Sequence, residues 1–318
     1  MARSPEPLSI WPALPYEDWR DTCATLHLWL QIVGKIRVVQ CPWVNHSWHV
    51  ALRVTASGLT SGLIPSEAGS LQIDFDFIDH RLLIRLCEAE ADVRSIPLEP
   101  QTTAAFYRKV MDALQSLGVR VSIHTTPNEL PDPVIPLDKD EVHSAYDAEY
   151  ANRYWRVLIQ AQRVFEDFRA SFIGKCSPVH FFWGSADLAV TRFSGRTAPE
   201  HPGGVPHLPD WVAREAYSHE VSSAGFWAGG PQYPHAIFYS YAYPEPTGFA
   251  TAEVRPEAAQ YSAELREFVL RYEDMRRSAS PDEALLEFLQ STYEAAAALS
   301  HWDRGALEQS MLHRAQLR

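Results

Sequence analysis

Residues 71–86 read LQIDFDFIDHRLLIRL and predict a β-hairpin. Apolar and polar residues alternate from Ile73 to Phe77, and a period of two places the apolar residues on one face of a strand. Asp79 and His80 interrupt this alternation, and polar residues between two β-prone runs are typical of a turn. Strands joined by so short a turn pair in the antiparallel direction. We therefore expect an antiparallel sheet around this stretch.

Helical and strand-like patterns lie on both sides of the hairpin. Residues 16–35 carry apolar residues at helical spacing, with Gly34 where a C-terminal cap belongs. Residues 46–56 and 119–125 show the alternation of strands, and residues 102–118 read as a capped helix. Consecutive strands with flanking helices are typical of the α+β class.

The same order of elements recurs after a proline-rich segment. We expect a first block at residues 1–126, a linker at residues 127–146 and a second block at residues 147–318. Each block is predicted to be an antiparallel sheet flanked by helices. The strands predicted in the second block are VHFFWG, DLAVTRF, SHEVSSAGFW, AIFYSYAY and EFVLRY, between helices at residues 147–175 and 280–299.

The repeated plan suggests an internal duplication. Sliding one block over the other without gaps pairs four residues with identical partners: Gly34 with Gly174, Lys35 with Lys175, Trp43 with Trp183, and Val50 with Val190. The alternative is coincidence, because helix, antiparallel sheet and helix is a common layout.

Composition and charge exclude several classes of function. A net charge of −12 over 318 residues argues against a binder of duplex nucleic acid or of anionic membranes, which both attract clustered Lys and Arg. No stretch is long and apolar enough to span a bilayer, and the N-terminus lacks an apolar leader. Four scattered cysteines are typical of reduced thiols. We expect a cytoplasmic protein whose partner is a small molecule.

One region concentrates polar chemistry, namely the loop at residues 194–216 and the strand that begins at Tyr217. The loop is longer than connections usually are within a domain, and long ordered loops often carry function. His219 is predicted as a catalytic base or metal ligand, with Glu220 as its partner or as a second base. The alternative is a core histidine bonded to a neighbouring side chain.

Further candidate residues surround this strand. Arg192 is the third catalytic candidate, and it would form a buried pair with Asp187 or clamp a substrate carboxylate. A divalent metal, zinc or iron, would be held by His219 with His180 and His201. The candidates for ligand binding are Arg196, His201, His207, Tyr217, Trp227 and His49.

His49 also belongs to a second histidine pair, with His46. Residues three apart on a regular strand point to opposite faces, so the two imidazoles could share one metal ion only across a bulge. We favour the alternative, in which one of the two is a pocket or core histidine bonded to a backbone carbonyl.

Several long blocks resemble one family. PWVNHSWHV, IDFDFIDH, IGKCSPVHFFWGSADLAVTRFSGR, HPGGVPHLPDWV and YSHEVSSAGFWAGG are similar to a bacterial family of uncharacterised proteins, domain of unknown function 5996. The resemblance runs from about Trp11 to the last helices and implies a single module of nearly full length. It implies no activity and no site residues.

Two hypotheses about function follow from the residues. The first is an enzyme that acts on a small anionic or aromatic substrate through a histidine-centred site in the second block, with or without a metal. The second is a non-catalytic module that binds a small ligand under the long loop. The chain has no G-x-S-x-G elbow, H-E-x-x-H motif or phosphate-binding loop.

Overall fold

The computed structural model describes residues 10–87 and 93–309. The first sheet has five antiparallel strands in chain order. The hairpin is confirmed, with Leu71 opposite Leu86 and Asp76 opposite Arg81. The strands are β1 Arg53–Val54, β2 Gly58–Ile64, β3 Leu71–Asp76, β4 Arg81–Leu86 and β5 Val93–Pro97.

The second sheet has six antiparallel strands, in the order β10-β11-β9-β8-β7-β6. Each of the five runs predicted as strands in the second block forms one, and the α+β class is confirmed. The strands are β6 His180–Phe182, β7 Asp187–Thr197, β8 His219–Trp227, β9 Ile237–Tyr243, β10 Gln260–Ser262 and β11 Glu267–Arg271.

Seven α-helices flank these sheets in the described part of the chain. In the second block, α3 packs against β7, and α6 packs against β8 and β9. None of the helices in the described ranges is long and apolar enough to cross a membrane. The helices are α1 Tyr16–Gln40, α2 Thr103–Ser116, α3 Ala148–Ala170, α4 Asp210–Ala216, α5 Tyr272–Arg276, α6 Pro281–Leu299 and α7 Arg304–Leu307.

The first helix does not end at Gly34, as its sequence predicted, but continues to Gln40. Gly34 lies inside the helix because the Trp183 ring packs where a side chain would be. A Cβ added to Gly34 would lie 2.2 Å from that ring. The glycine therefore serves a close contact between the two blocks and not a C-terminal cap. Gly174, its proposed counterpart, follows the end of α3, so the gapless pairing lacks structural support and the duplication stays a prediction.

Of two strands predicted in the first block, one is right only in part and the other is wrong. Within residues 46–56 only Arg53–Val54 forms a strand, because Asn45–Ser47 is a short 3-10 helix in which His46 adopts a φ of 59°. A left-handed residue cannot continue a pleated strand. Residues 119–125 form no strand but an irregular segment.

The two sheets meet edge to edge. The N–H of Leu52 donates to the Phe181 carbonyl at 2.8 Å, and the N–H of Phe181 donates back to Leu52 at 2.9 Å. Buried side chains from both blocks belong to one hydrophobic core. One face of the second sheet packs on α3 and α6, while its other face looks toward α1 and the long loop. This second face holds the candidate site.

Candidate functional site

A cavity of about 610 Å³ lies on this face of the second sheet, within the range typical of sites for small ligands. Residues of α1, the segment after Ile123, the sheet and the long loop all contribute to its walls. Nine aromatic side chains line it: Trp43, Trp48, Trp183, Trp211, Phe182, Phe193, Tyr217, Tyr239 and Tyr241.

The floor of the cavity is the face of the second sheet, and free space lies above Ala189. Cross-strand pairing sets His180, Ala189, Gly225 and Tyr239 side by side on four neighbouring strands. The Tyr239 side chain lies across Gly225, since an added Cβ there would be 2.3 Å from the tyrosine hydroxyl. Small residues in the middle of this row leave room for a molecule to approach the sheet.

Asp187 is the buried acid of the floor. It accepts a hydrogen bond from the Tyr239 hydroxyl. Burial raises the pKa of its carboxyl to about 7, and the nearby Glu129 carboxyl also raises it. A carboxyl whose pKa lies near neutral can both donate and accept a proton.

Glu129 lies at the same end of the cavity. It accepts a hydrogen bond from the Ser185 hydroxyl at 2.5 Å, and burial raises the pKa of its carboxyl. The carboxylate packs flat against Gly184, where an added Cβ would lie 2.0 Å from Oε1. Gly184 and Ser185 belong to the turn between β6 and β7, so both acids lie beside that turn.

Two hydroxyl pairs continue the polar floor away from Asp187. Thr191 and Ser223 share a hydrogen bond of 2.8 Å between adjacent strands. Tyr217 and Tyr241 share another, of 2.9 Å. These hydroxyls satisfy one another and still have lone pairs to offer to a bound molecule.

His180 is a neutral base in the wall of the cavity. Its side chain is buried, with 1% exposure, and its Nδ1 has no hydrogen-bond partner in the described part of the molecule. Burial lowers the pKa of the imidazole to about 3, and the positive charge of Arg53 lowers it further. An unpaired polar atom in such a place is a candidate for contact with a ligand.

The other histidine pair is divided between two environments. His46 lines the cavity, donates from Nδ1 to the Ala216 carbonyl at 3.0 Å, and accepts at Nε2 from Lys175 at 2.6 Å. His49 instead accepts from the Val44 N–H at 3.2 Å and is not among the residues lining the cavity. We expected one of the two to be a pocket or core histidine bonded to a backbone carbonyl, and His46 has this geometry.

The long loop forms the roof of the cavity, and Asn128 holds it in place by hydrogen bonds. Its backbone N–H donates to the Gln31 side chain at 2.7 Å, and its carbonyl accepts from the same side chain at 2.9 Å. Its side chain accepts from Lys35 and donates to the His207 carbonyl. One residue thus joins α1 to the long loop.

The structure brings a minority of the predicted site residues to this cavity. His180, His207 and Tyr217 line it, and the long loop covers it as expected. The Nε2 atom of His207 also lies at hydrogen-bond distance, 3.0 Å, from the Asp132 carboxyl. The predicted residues that do not line it, although all lie in the described ranges, are His219, Glu220, Arg192, Arg196, His201, Trp227 and His49.

Arg192 points to the opposite face of the sheet from Asp187, because the two differ by an odd number of positions on β7. Its side chain is 1% exposed and donates to Ser171 at 2.9 Å and to the Phe168 carbonyl. The guanidinium lies 3.4 Å from the Phe168 ring centroid and 4.2 Å from that of Tyr293. The ion pair with Asp187 is not formed, and Arg192 does not line this cavity.

The other predicted catalytic residues, Glu220 and His219, lie at the N-terminal end of β8. Glu220 pairs with Arg196 at 2.6 Å on the side away from the cavity. His219 contacts the Ser218 hydroxyl at 3.0 Å, with its ring 6.2 Å from that of His46.

The predicted metal ligands do not converge. The His201 ring stacks on Tyr217 at 4.7 Å, while His180 lies in the cavity wall. Within residues 10–87 and 93–309, no three His, Cys, Asp or Glu side chains are grouped so that they could hold a metal ion. His219 instead contacts Ser218, and His201 packs on Tyr217. Trp227, at the end of β8, packs near Tyr233.

Four polar residues of the cavity were not among the predicted site residues: Asp187, Glu129, Tyr239 and Tyr241. Alternation along β7 already placed Asp187 with Ala189 and Thr191, and alternation in AIFYSYAY puts Tyr239 and Tyr241 on one face. No comparable signal marks Glu129, because it lies in the segment predicted to be a linker.

Comparison with known proteins gives one match. The profile of a family of unknown function (DUF5996) matches residues 11–309, which is most of the chain and includes every residue that lines the cavity. No curated protein and no solved structure matches the sequence. The chain therefore belongs to the family of unknown function DUF5996.

Proposed function

We propose that the protein binds a small aromatic or apolar organic molecule in the cavity above Ala189. The observation that carries this proposal is the cavity of about 610 Å³ itself. Nine aromatic side chains and a short row of polar groups line it. Ligand sites are typically apolar concavities with few polar groups that fix orientation.

The shape of the floor supports the same proposal. Tyr239 is held over Gly225, so the space above Ala189 stays free between His180 on one side and Tyr239 on the other. A flat ring placed there would contact aromatic side chains on several sides, and each aromatic pair adds about 0.5 to 1.5 kcal/mol beyond simple burial.

A second candidate function is catalysis on the bound molecule. The observation that favours it is Asp187, whose pKa is raised to about 7 in an apolar site that a ligand would fill. The proton-transferring residue of such an enzyme would be Asp187, with Tyr239 holding its carboxyl in place. His219, the residue expected from sequence, lies outside the lining of this cavity.

Titration with N-phenylnaphthylamine, a neutral probe that fluoresces in apolar sites, tests the binding proposal. Thr191→Phe places a ring on the cavity floor, whereas Thr197→Phe makes the same change at an exposed position on the same strand. We expect saturable binding to the native protein and to Thr197→Phe, and at least about tenfold weaker binding to Thr191→Phe, or about 1.4 kcal/mol. Equal binding to the two variants would place the probe elsewhere.

A further inference from the structure

The ligand-facing charges of the cavity lead to a narrower conclusion, which rests on the proposed function. We infer that the cavity binds an organic cation, an amine carrying an aromatic or apolar group, with its ammonium between the carboxyls of Asp187 and Glu129. This assigns a chemical class of ligand to the site, and of the anionic or aromatic substrate expected from sequence it keeps only the aromatic alternative.

The first observation is that both acids face the cavity with hydroxyl partners. Asp187 accepts from Tyr239, and Glu129 accepts from Ser185. Glu129 is also a source of negative charge acting on Asp187. Two like charges in a weakly hydrated space repel each other, and a cation between them relieves both the repulsion and the cost of burial.

Lys35 does not already provide that cation. It is the only lysine or arginine among the described residues that line the cavity. Its ammonium donates to the Asn128 side chain and lies 5.8 Å from the Trp183 ring centroid. No ion pair within 4.0 Å joins it to Asp187 or Glu129 in the described structure, and burial lowers its pKa to about 8.

The second, independent observation is His180. Its buried Nδ1 has no hydrogen-bond partner among the described residues, and the imidazole is neutral because burial lowers its pKa to about 3. His180 is paired with Ala189, so Asp187 is its diagonal neighbour on the same face of the sheet. The Cα atoms of such neighbours are about 7 to 8 Å apart. A polar group on a molecule that lies over Ala189 can therefore reach both the histidine and the acid.

The aromatic walls favour a cation at this end of the cavity. Phe182 is the cross-strand neighbour of Asp187, Trp183 follows it, and the Tyr239 ring lies across Gly225. Ammonium groups are attracted to the faces of such rings, and the attraction grows when water is excluded. The same rings would bind the apolar part of the molecule.

A series of ligands that share one aromatic group tests the inference. Naphthylethylamine is a cation at pH 7.5, naphthylethanol is its neutral analogue, and naphthylpropionate is an anion. We would measure each affinity by calorimetry and by displacement of N-phenylnaphthylamine. We expect the amine to bind at least about tenfold more tightly than the alcohol, and the anion to bind most weakly.

Matched carboxyl variants locate the effect. Asp187→Asn and Glu129→Gln each keep the shape of the side chain and remove its charge, while Glu220→Gln does the same for an acid that does not line the cavity. Each of the first two is expected to weaken amine binding about tenfold and leave the alcohol unchanged. Glu220→Gln is expected to change neither. Glu129 is partly exposed, so its variant remains informative if Asp187→Asn folds poorly.

The outcomes separate this inference from the proposed function. Equal affinity for the amine and the alcohol, tightest binding of the anion, or unchanged amine binding in both variants would overturn the cation while leaving a small-molecule site in place. Failure of all three compounds and of the probe to bind would overturn the proposed function as well.

Discussion

Tyr239 reaches across an entire strand to donate its hydroxyl to Asp187. Asp187 lies on β7 and Tyr239 on β9, and β8 between them contributes Gly225 directly beneath the tyrosine ring. Two strand spacings separate the backbones by roughly 10 Å. The hydrogen bond therefore exists only because residue 225 has no side chain. It fixes the buried Asp187 carboxyl beside the open space above Ala189.

Gly225→Ala is expected to destabilise the protein. The added Cβ would lie 2.3 Å from the Tyr239 hydroxyl and 2.6 Å from the Leu188 carbonyl, so the tyrosine must move or the strands must separate. We expect a loss of about 1 to 3 kcal/mol in the free energy of unfolding, measured by urea denaturation. Gly305→Ala, on α7 with its nearest neighbour at 3.6 Å, is the control and should not be destabilised. An unaffected Gly225→Ala protein would contradict the position of Tyr239.

Asp187 should make the stability of the protein depend on pH. Its folded pKa is raised to about 7 from an ordinary 3.8, so the folded state holds this proton more tightly than the unfolded state does. That contribution is complete below pH 3.8 and is lost as the pH rises to 7. The stability lost between pH 5 and pH 8 through this group is about 2 to 3 kcal/mol, at about 1.36 kcal/mol per unit of pKa shift.

Asp187→Asn should remove this share of the pH dependence. Urea denaturation at pH 5 and pH 8 would show a smaller loss of stability in the variant than in the native protein. Glu129 and Glu267, whose pKa values are also raised by burial, would still titrate. Asp112→Asn, on the exposed side of α2, serves as the control. An Asp187→Asn protein that loses as much stability as the native one would show that this carboxyl is not buried in the folded state.

Asn128→Ala should loosen the roof of the cavity. The change removes the side-chain contacts to Lys35 and to the His207 carbonyl. We expect faster hydrogen exchange at residues 205–212 and faster dissociation of N-phenylnaphthylamine, with a modest loss of stability of about 1 kcal/mol.

Asn152→Ala is the matched control for the roof. Asn152 also donates to a backbone carbonyl, that of Phe77 at 2.9 Å, but far from the long loop. It should lose similar stability without changing exchange in the loop. Equal exchange rates in the two variants would mean that Asn128 does not anchor the roof.

Arg192→Lys should affect stability and leave binding unchanged. A lysine cannot reproduce the planar guanidinium between Phe168 and Tyr293 or both of its hydrogen bonds. We expect a loss of about 1.5 to 3 kcal/mol. Arg196→Lys, at an exposed ion pair, should lose less than about 1 kcal/mol. Weaker binding of N-phenylnaphthylamine to a folded Arg192→Lys protein would show that Arg192 contributes to ligand binding.

His219→Ala distinguishes the present site from the one expected from sequence. His219 does not line the cavity and contacts the adjacent Ser218 hydroxyl. We expect the affinity for N-phenylnaphthylamine to change less than about twofold. Loss of binding in a variant that melts like the native protein would show that the histidine-centred hypothesis was correct.

Local patterns predicted much of the secondary structure. The alternation in residues 71–86 and in the runs that form β6 to β9 gave the right elements, because half-buried strands of an antiparallel sheet require it. The same alternation divided β7 correctly, with Asp187 on one face and Arg192 on the other. Alternation was a poor guide at residues 46–56, where His46 and Ser47 adopt left-handed conformations. Their residue types do not indicate these conformations.

By itself, the sequence determined the α+β class and five of the six strands of the second sheet, all except β10. Tertiary structure alone decided which polar residues meet. Glu129 reaches Ser185 from a distant segment, and Tyr239 reaches Asp187 over Gly225. Periodicity reports which face of its own strand a residue occupies, but not which distant element covers that face. The histidines near residue 219 are neighbours in sequence, whereas packing of the predicted linker against the turn between β6 and β7 brings Glu129 beside Asp187.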